Sequence, residues 1–145
     1  MAVTVSLYNH TASLFLSGVV NNTDSFKVIL LSSGTFSAAN TTLAQAASGY
    51  TEVSSGNGYT SGGLLLTNVV TPIVTTNDAK FDADDAIWNA TGSGITAAAA
   101  IVYEDTLAND PPLMYIDFGA SETAPASTDF KIIWPANGIL LLTTP

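Results

Sequence analysis

The sequence predicts a mostly β protein, an antiparallel β-sandwich or barrel-like domain with one or two short helices near the N-terminus. Three observations predict it. Apolar, β-branched runs recur at 25–32, 64–74, 95–103, 113–118, 130–134 and 139–143, each of strand length. Glycine, asparagine and proline punctuate the intervals at close spacing, as at Gly56-Asn57-Gly58, Gly62-Gly63 and Gly92-Ser93-Gly94. Asn137-Gly138 lies between two apolar runs, which is the strongest short-range hairpin signal. Seven or more short strands with such turns define a sandwich or barrel.

The elements follow in order. Residues 3–8 alternate weakly. Asn9 or Thr11 then caps a short helix over about 12–19 that ends near Gly18, or Leu14, Phe15 and Leu16 form strand instead. Residues 25–32 carry Lys27 as their only charge and read as a buried strand. The Ala/Ser/Thr-rich segment 34–50 holds one helical turn near 42–46, with Gly49 after it. Residues 64–74 are strand-like, and Pro72 places them at an edge or a bulge, because proline cannot donate to a ladder. Residues 80–88 set Phe81, Ala86, Ile87 and Trp88 around an acidic centre. Residues 95–103 are strand by position despite four alanines. The segment 105–112 reads as a polar loop, 113–118 as a strand ending at Gly119, and 120–129 as a second flexible loop. Residues 130–134 and 139–143 are expected to pair as a hairpin about Pro135-Ala136-Asn137-Gly138. No repeat of solenoid period is present.

Length and charge bound the function. At 145 residues the chain fits a single domain spanning 1–145, with ends near 1–5 and 141–145 that are candidates to extend toward neighbours, as is the 120–129 loop. Charged residues are 10% of the chain, against about 25% in ordinary soluble domains. The exposed surface must therefore be built largely from Thr, Ser, Asn, Ala and Gly, which suits a chain packed against other chains. Twelve carboxylates, three lysines and no arginine give a net charge of −9. Nothing is available to neutralise a row of phosphates, which excludes nucleic acid as a partner, and the same shortage excludes an anionic membrane surface. Without cysteine there is neither disulfide framework nor thiolate chemistry. No run approaches the roughly 18 apolar residues of a membrane span. The first lysine is Lys27, so the positive region of a signal peptide is missing and synthesis in a cytoplasm is expected.

The chemistry-bearing groups are sparse. A Ser-His-Asp hydrolase needs its histidine near a nucleophile, and His10 is the sole histidine, in a helix-cap context. Ser93 follows Thr91-Gly92, so no nucleophile elbow exists. The glycine-rich stretch 56–63 has no basic residue to hold a phosphate. Glu104, Asp105 and Asp117 are the nearest approach to a glycosidase pair, but adjacent acids at a loop entrance are ordinarily solvated. The candidate metal ligands are Asp82, Asp84 and Asp85, with Asp78 four residues earlier: oxygen donors that suit Ca2+, in a spacing like the start of a calcium loop, though without its glycine and distal glutamate. The competing reading is a solvated acidic turn. Four Asn-x-Ser/Thr matches, at Asn9, Asn21, Asn40 and Asn89, are what this composition produces by chance. Trp88 and Trp134 are core aromatics or, on an exposed face, platforms for a sugar. The sequence reading is a non-enzyme without a required cofactor, calcium being the one candidate.

The order of motifs carries a resemblance. It runs through Leu7-Tyr8-Asn9-His10, Asp24-Ser25-Phe26-Lys27-Val28-Ile29-Leu30-Leu31-Ser32 and Ser55-Gly56-Asn57-Gly58-Tyr59-Thr60-Ser61-Gly62-Gly63. It continues through Ala79-Lys80-Phe81-Asp82-Ala83-Asp84-Asp85-Ala86-Ile87-Trp88, Ile101-Val102-Tyr103-Glu104-Asp105-Thr106 and Pro112-Leu113-Met114-Tyr115-Ile116-Asp117-Phe118-Gly119, and ends in Phe130-Lys131-Ile132-Ile133-Trp134-Pro135-Ala136-Asn137-Gly138-Ile139. In this order the chain resembles a family of small tailed-bacteriophage virion structural proteins. The resemblance implies a non-enzymatic virion component, such as a capsid cement (decoration) protein on the virion surface whose partner is the major capsid protein. Capsid threefold sites make a homotrimer the expected state. The alternatives are a tail, neck or fibre component, and a carbohydrate-binding module on the virion surface.

Overall fold

A computed structural model describes residues 3–21, 23–75 and 78–143, with 71–75 described by their backbone. The fold is mostly β, with antiparallel sheets and two short helices near the N-terminus. The largest sheet has six strands. Its centre is β2 (Phe26–Gly34), β8 (Ile95–Glu104) and β9 (Pro112–Ala124). β1 (Thr4–Leu7) closes one side on β9, while β3 (Tyr50–Glu52) and β4 (Leu64–Leu65) both pair with β2 on the other. Two small sheets complete the molecule. One joins β7 (Ala86–Asn89) to β10 (Asp129–Ile132). The other joins β5 (Val70–Thr75), β6 (Asp78–Asp82) and β11 (Leu140–Leu142).

The alternation of side chains across β2 and β8 explains the architecture. Phe26, Val28 and Leu30 point to one face with Ala100, Val102, Met114 and Ile116, and there they meet Phe81, Trp88, Phe130 and Ile132 from the small sheets. Ile29, Leu31, Ala99, Ile101, Tyr103 and Tyr115 point to the other face, covered by Phe36, Leu43, Ala46 and Tyr50. The central strands are thus apolar on both faces because both are buried, which is why residues 28–31 form an unbroken apolar run. The main core lies between the large sheet and the two small ones. Aromatic contacts bridge it: Phe26–Phe81 at 4.9 Å, Phe15–Phe81 at 5.5 Å and Trp88–Phe130 at 6.1 Å between ring centroids.

The helices are α1 (Thr11–Leu16) and α2 (Leu43–Ala47). α2 begins as expected: Thr42 Oγ1 accepts from the Gln45 amide, supplying an acceptor to a free N-terminal N–H. α1 is shorter than the predicted 12–19 and is capped by neither Asn9 nor Thr11. His10 is at the cap position without a side-chain cap, and Thr11 instead donates through Oγ1 to the Leu113 carbonyl at 2.6 Å. Pinning to β9 substitutes for capping. Gly18 follows with φ +71°, ending the helix where only glycine is unstrained.

Three further expectations are corrected. Gly119 does not end its strand, and 120–124 is not loop. At φ +78° Gly119 forms part of a wide bulge, in which the pairing slips between Ala97↔Glu122 and Ala99↔Asp117, and β9 then resumes pairing with β8 as far as Ile95↔Ala124. The predicted 130–134/139–143 hairpin does not form. The Pro135–Gly138 turn closes, with the Gly138 amide 2.8 Å from the Pro135 carbonyl, but its arms separate: β10 pairs with β7 and β11 with β6. The apolar faces on either side of that turn belong to two different small sheets. Residues 80–88 split into β6 and β7 about a turn at 83–85. By contrast Pro72 lies as read, in the edge strand β5 where its register with β6 slips between Val70 and Ile73. Of the ends expected to extend, residues 4–7 and 140–142 are strands of this fold, because each completes a sheet edge; Met1, Ala2, Thr144 and Pro145 lie outside the described residues.

Candidate interaction surface

The three candidate calcium ligands do not converge. Asp82 at the end of β6 pairs with Lys80 at 2.8 Å and accepts from the Ala83 amide. Asp84 accepts from Thr67 Oγ1 at 3.0 Å and Asn68 Nδ2 at 2.6 Å. Asp85 accepts from the Trp134 amide at 2.9 Å. Each carboxylate ties the 83–85 turn to a different neighbour, and among the described residues no three His, Cys, Asp or Glu side chains are grouped to hold a metal ion.

The remaining polar groups are similarly engaged. His10 donates through Nε2 to the Pro112 carbonyl at 2.7 Å. Glu104 is buried, and Asp105 pairs with Lys27 at 2.8 Å. Asp117 accepts from the Gly119 amide, bracing the bulge. The glycine-rich stretch 56–63 is a structural wedge. Gly58 packs so closely on the Asn89 carbonyl that a side chain there would collide with it, and Asn57 accepts from the Ser93 amide. Trp88 is buried between Tyr59 and Phe130, so it presents no face to a sugar. Trp134 is half-buried, its indole N–H donating to the Asp84 carbonyl.

All five tyrosines have their hydroxyl pKa pushed upward, with burial as the first cause. Tyr50, near Glu52, is pushed to about 12. Tyr59 shows the chemistry most clearly: its oxygen accepts from the Leu30 amide at 3.1 Å and donates to Glu52 Oε1 at 2.7 Å, so losing its proton would set two anions against each other. Above pH 10 an unfolded chain sheds tyrosine protons that the folded chain keeps. Stability is therefore fully present below pH 10 and is lost progressively as pH rises from there through the folded values. A spectrophotometric titration should show the native tyrosinate band rising well above pH 10, and the melting temperature falling across the same interval; native tyrosines ionising near 10 would refute the packing described.

With these polar side chains tied to neighbours within the chain, the feature of the surface that stands out is apolar. Val3, just before the edge strand β1, and Val5 and Leu7 on it alternate at 61%, 55% and 40% exposure. Beside them a groove of about 510 Å3 runs between β9 and β10, lined by Val3, Ile116, Phe118, Phe130 and Ile133 with Glu122 at its side. Ile133 is 70% exposed. A second, smaller hollow of about 250 Å3 lies among Phe15, Leu16, Val20, Phe81, Leu140 and Leu142, with Leu16 77% exposed. Sequence pattern does not reveal these residues, because an apolar side chain at a sheet edge has the same alternation as one in the core.

No family model, curated protein or solved structure matches the chain.

Proposed function

We propose that the chain is a structural component of a tailed-phage virion, a cement protein that binds the outer face of the capsid and stabilises its lattice as a homotrimer. The observation that carries this reading is a set of exposed apolar side chains at strand edges: Val5 and Leu7 on β1 with Val3 just before it, Ile133 after β10, and Leu141 and Leu142 on β11. A cement protein needs apolar surface and free strand edges to cover against neighbours, and needs no chemistry. The motif order that resembles small virion structural proteins supports the same reading, as does the scarcity of long charged side chains.

The test is the thermal and low-salt stability of particles assembled with and without the protein. Particles lacking it should release their contents at lower temperature, and adding the protein back should restore them. Equal stability would end the cement reading. Counting copies per particle separates the alternatives: hundreds place the protein on the shell, whereas a small multiple of three or six places it in the tail, neck or fibre.

A further inference from the structure

The groove between β9 and β10 is bounded by strand edges that no described strand occupies. β1 pairs with β9 only along residues 114–117, leaving the outer edge beyond Phe118 without a described partner strand. β10 pairs with β7 on one side alone. The groove floor is apolar, with Ile116, Phe118 and Phe130 beneath and Val3 and Ile133 at its margins. Its open strand edges and apolar lining supply what an added extended strand requires: backbone groups to pair with and a floor for alternate side chains.

Charge says which strand. All three lysines are already held within the chain, Lys27 by Asp105, Lys80 by Asp82 and Lys131 by Asp129. The Lys131–Asp129 pair itself lines the groove, and the Glu122 side chain, exposed beside it, makes no ion pair or hydrogen bond among the described residues. A second copy brings no uncommitted lysine to meet it and carries the same net charge of −9. We infer that the β9–β10 groove receives an extended segment of another protein, with apolar residues at alternate positions and a lysine or arginine that reaches Glu122. This deepens the shell-binding reading and rests on it only for where the partner is found.

Selection of a random nine-residue peptide library on the immobilised full chain tests the groove without any particle. Enriched peptides should alternate apolar residues and carry one Lys or Arg. Ile133→Asp should weaken binding of the enriched peptides at least tenfold, and Glu122→Lys should switch the enriched charge from basic to acidic. Both substitutions are at exposed positions, so unchanged melting temperatures will show that the fold persists. Enriched peptides without a basic residue, or indifferent to both substitutions, overturn the inference. So does sedimentation showing that the chain self-associates through this groove, with Val3→Asp and Ile133→Asp each yielding monomer. If Ile133→Asp and Glu122→Lys still bind and stabilise particles fully, the groove assignment fails while the cement reading stands. If particles never depended on the protein but the peptide switch is seen, the groove assignment stands and the cement reading fails.

Discussion

Phe26→Ala is expected to lower the unfolding free energy by about 4 kcal/mol, the middle of the range for deleting a buried aromatic ring. For a chain of this size that corresponds to a fall of roughly 8–16 °C in melting temperature. Phe26 is fully buried at the start of β2, and its ring centroid lies 4.9 Å from that of Phe81 on β6. Phe81 in turn meets Phe15 of α1 at 5.5 Å. One ring thus joins the large sheet to a small sheet and, through Phe81, to the first helix. Its removal leaves a void that three separate elements would have to move to fill, so little relaxation is available to reduce the cost. Chemical denaturation measures the effect, and Leu16→Ala supplies the contrast. Leu16 is 77% exposed, and its truncation should change stability by no more than about 0.5 kcal/mol. If Phe26→Ala costs under about 1.5 kcal/mol, in the range of a mild core substitution, the two layers are not joined through this ring.

The contrast between those two positions also marks how far the sequence could be read. The strand at β2 was legible because its composition answers to burial on both faces, a condition set by the local run itself. The turn chemistry at 56–63 was legible for the same reason, since Gly58 at φ +93° needs no information from elsewhere in the chain. What failed depended on distant partners. Gly119 also has a positive φ, at +78°, but whether a glycine ends a strand or bulges it is decided by the opposing strand, and β8 continues past it. Asn137-Gly138 makes its turn, and local chemistry stops there. Whether its arms then pair is decided by β7 and β6, which compete for them more than 40 residues away in sequence. The acidic turn at 82–85 was visible as a cluster, while the three separate partners that divide it were not. The groove at Glu122 was hidden most completely, because it lies where β1 stops short along β9 and no described strand lies beyond β10.

Glu104→Ala should be the most costly polar substitution among the described residues, at about 3 kcal/mol. Glu104 ends β8 and is fully buried, a position where an ionised side chain survives only if its oxygens are satisfied. They are: Oε1 accepts from the Thr106 amide and Oε2 from the Leu107 amide, each at 2.6 Å. The carboxylate thereby folds the 105–111 loop back over the strand end, where the Glu104 amide meets the Pro111 carbonyl and Thr106 Oγ1 accepts from the Ser25 amide. Alanine removes both acceptors at once and takes from the Thr106 and Leu107 amides the protein partner that holds the loop in place. Glutamine keeps one acceptor but turns an amide N–H2 toward the second donor, so Glu104→Gln should fall between, at about 1.5 kcal/mol. Hydrogen exchange separates this account from simple loss of packing: the Thr106 and Leu107 amides should lose protection in Glu104→Ala while amides in the middle of β8 and β2 keep theirs relative to the new global stability. A cost under about 1 kcal/mol, less than a single charged hydrogen bond contributes, would show that the loop holds itself without the carboxylate.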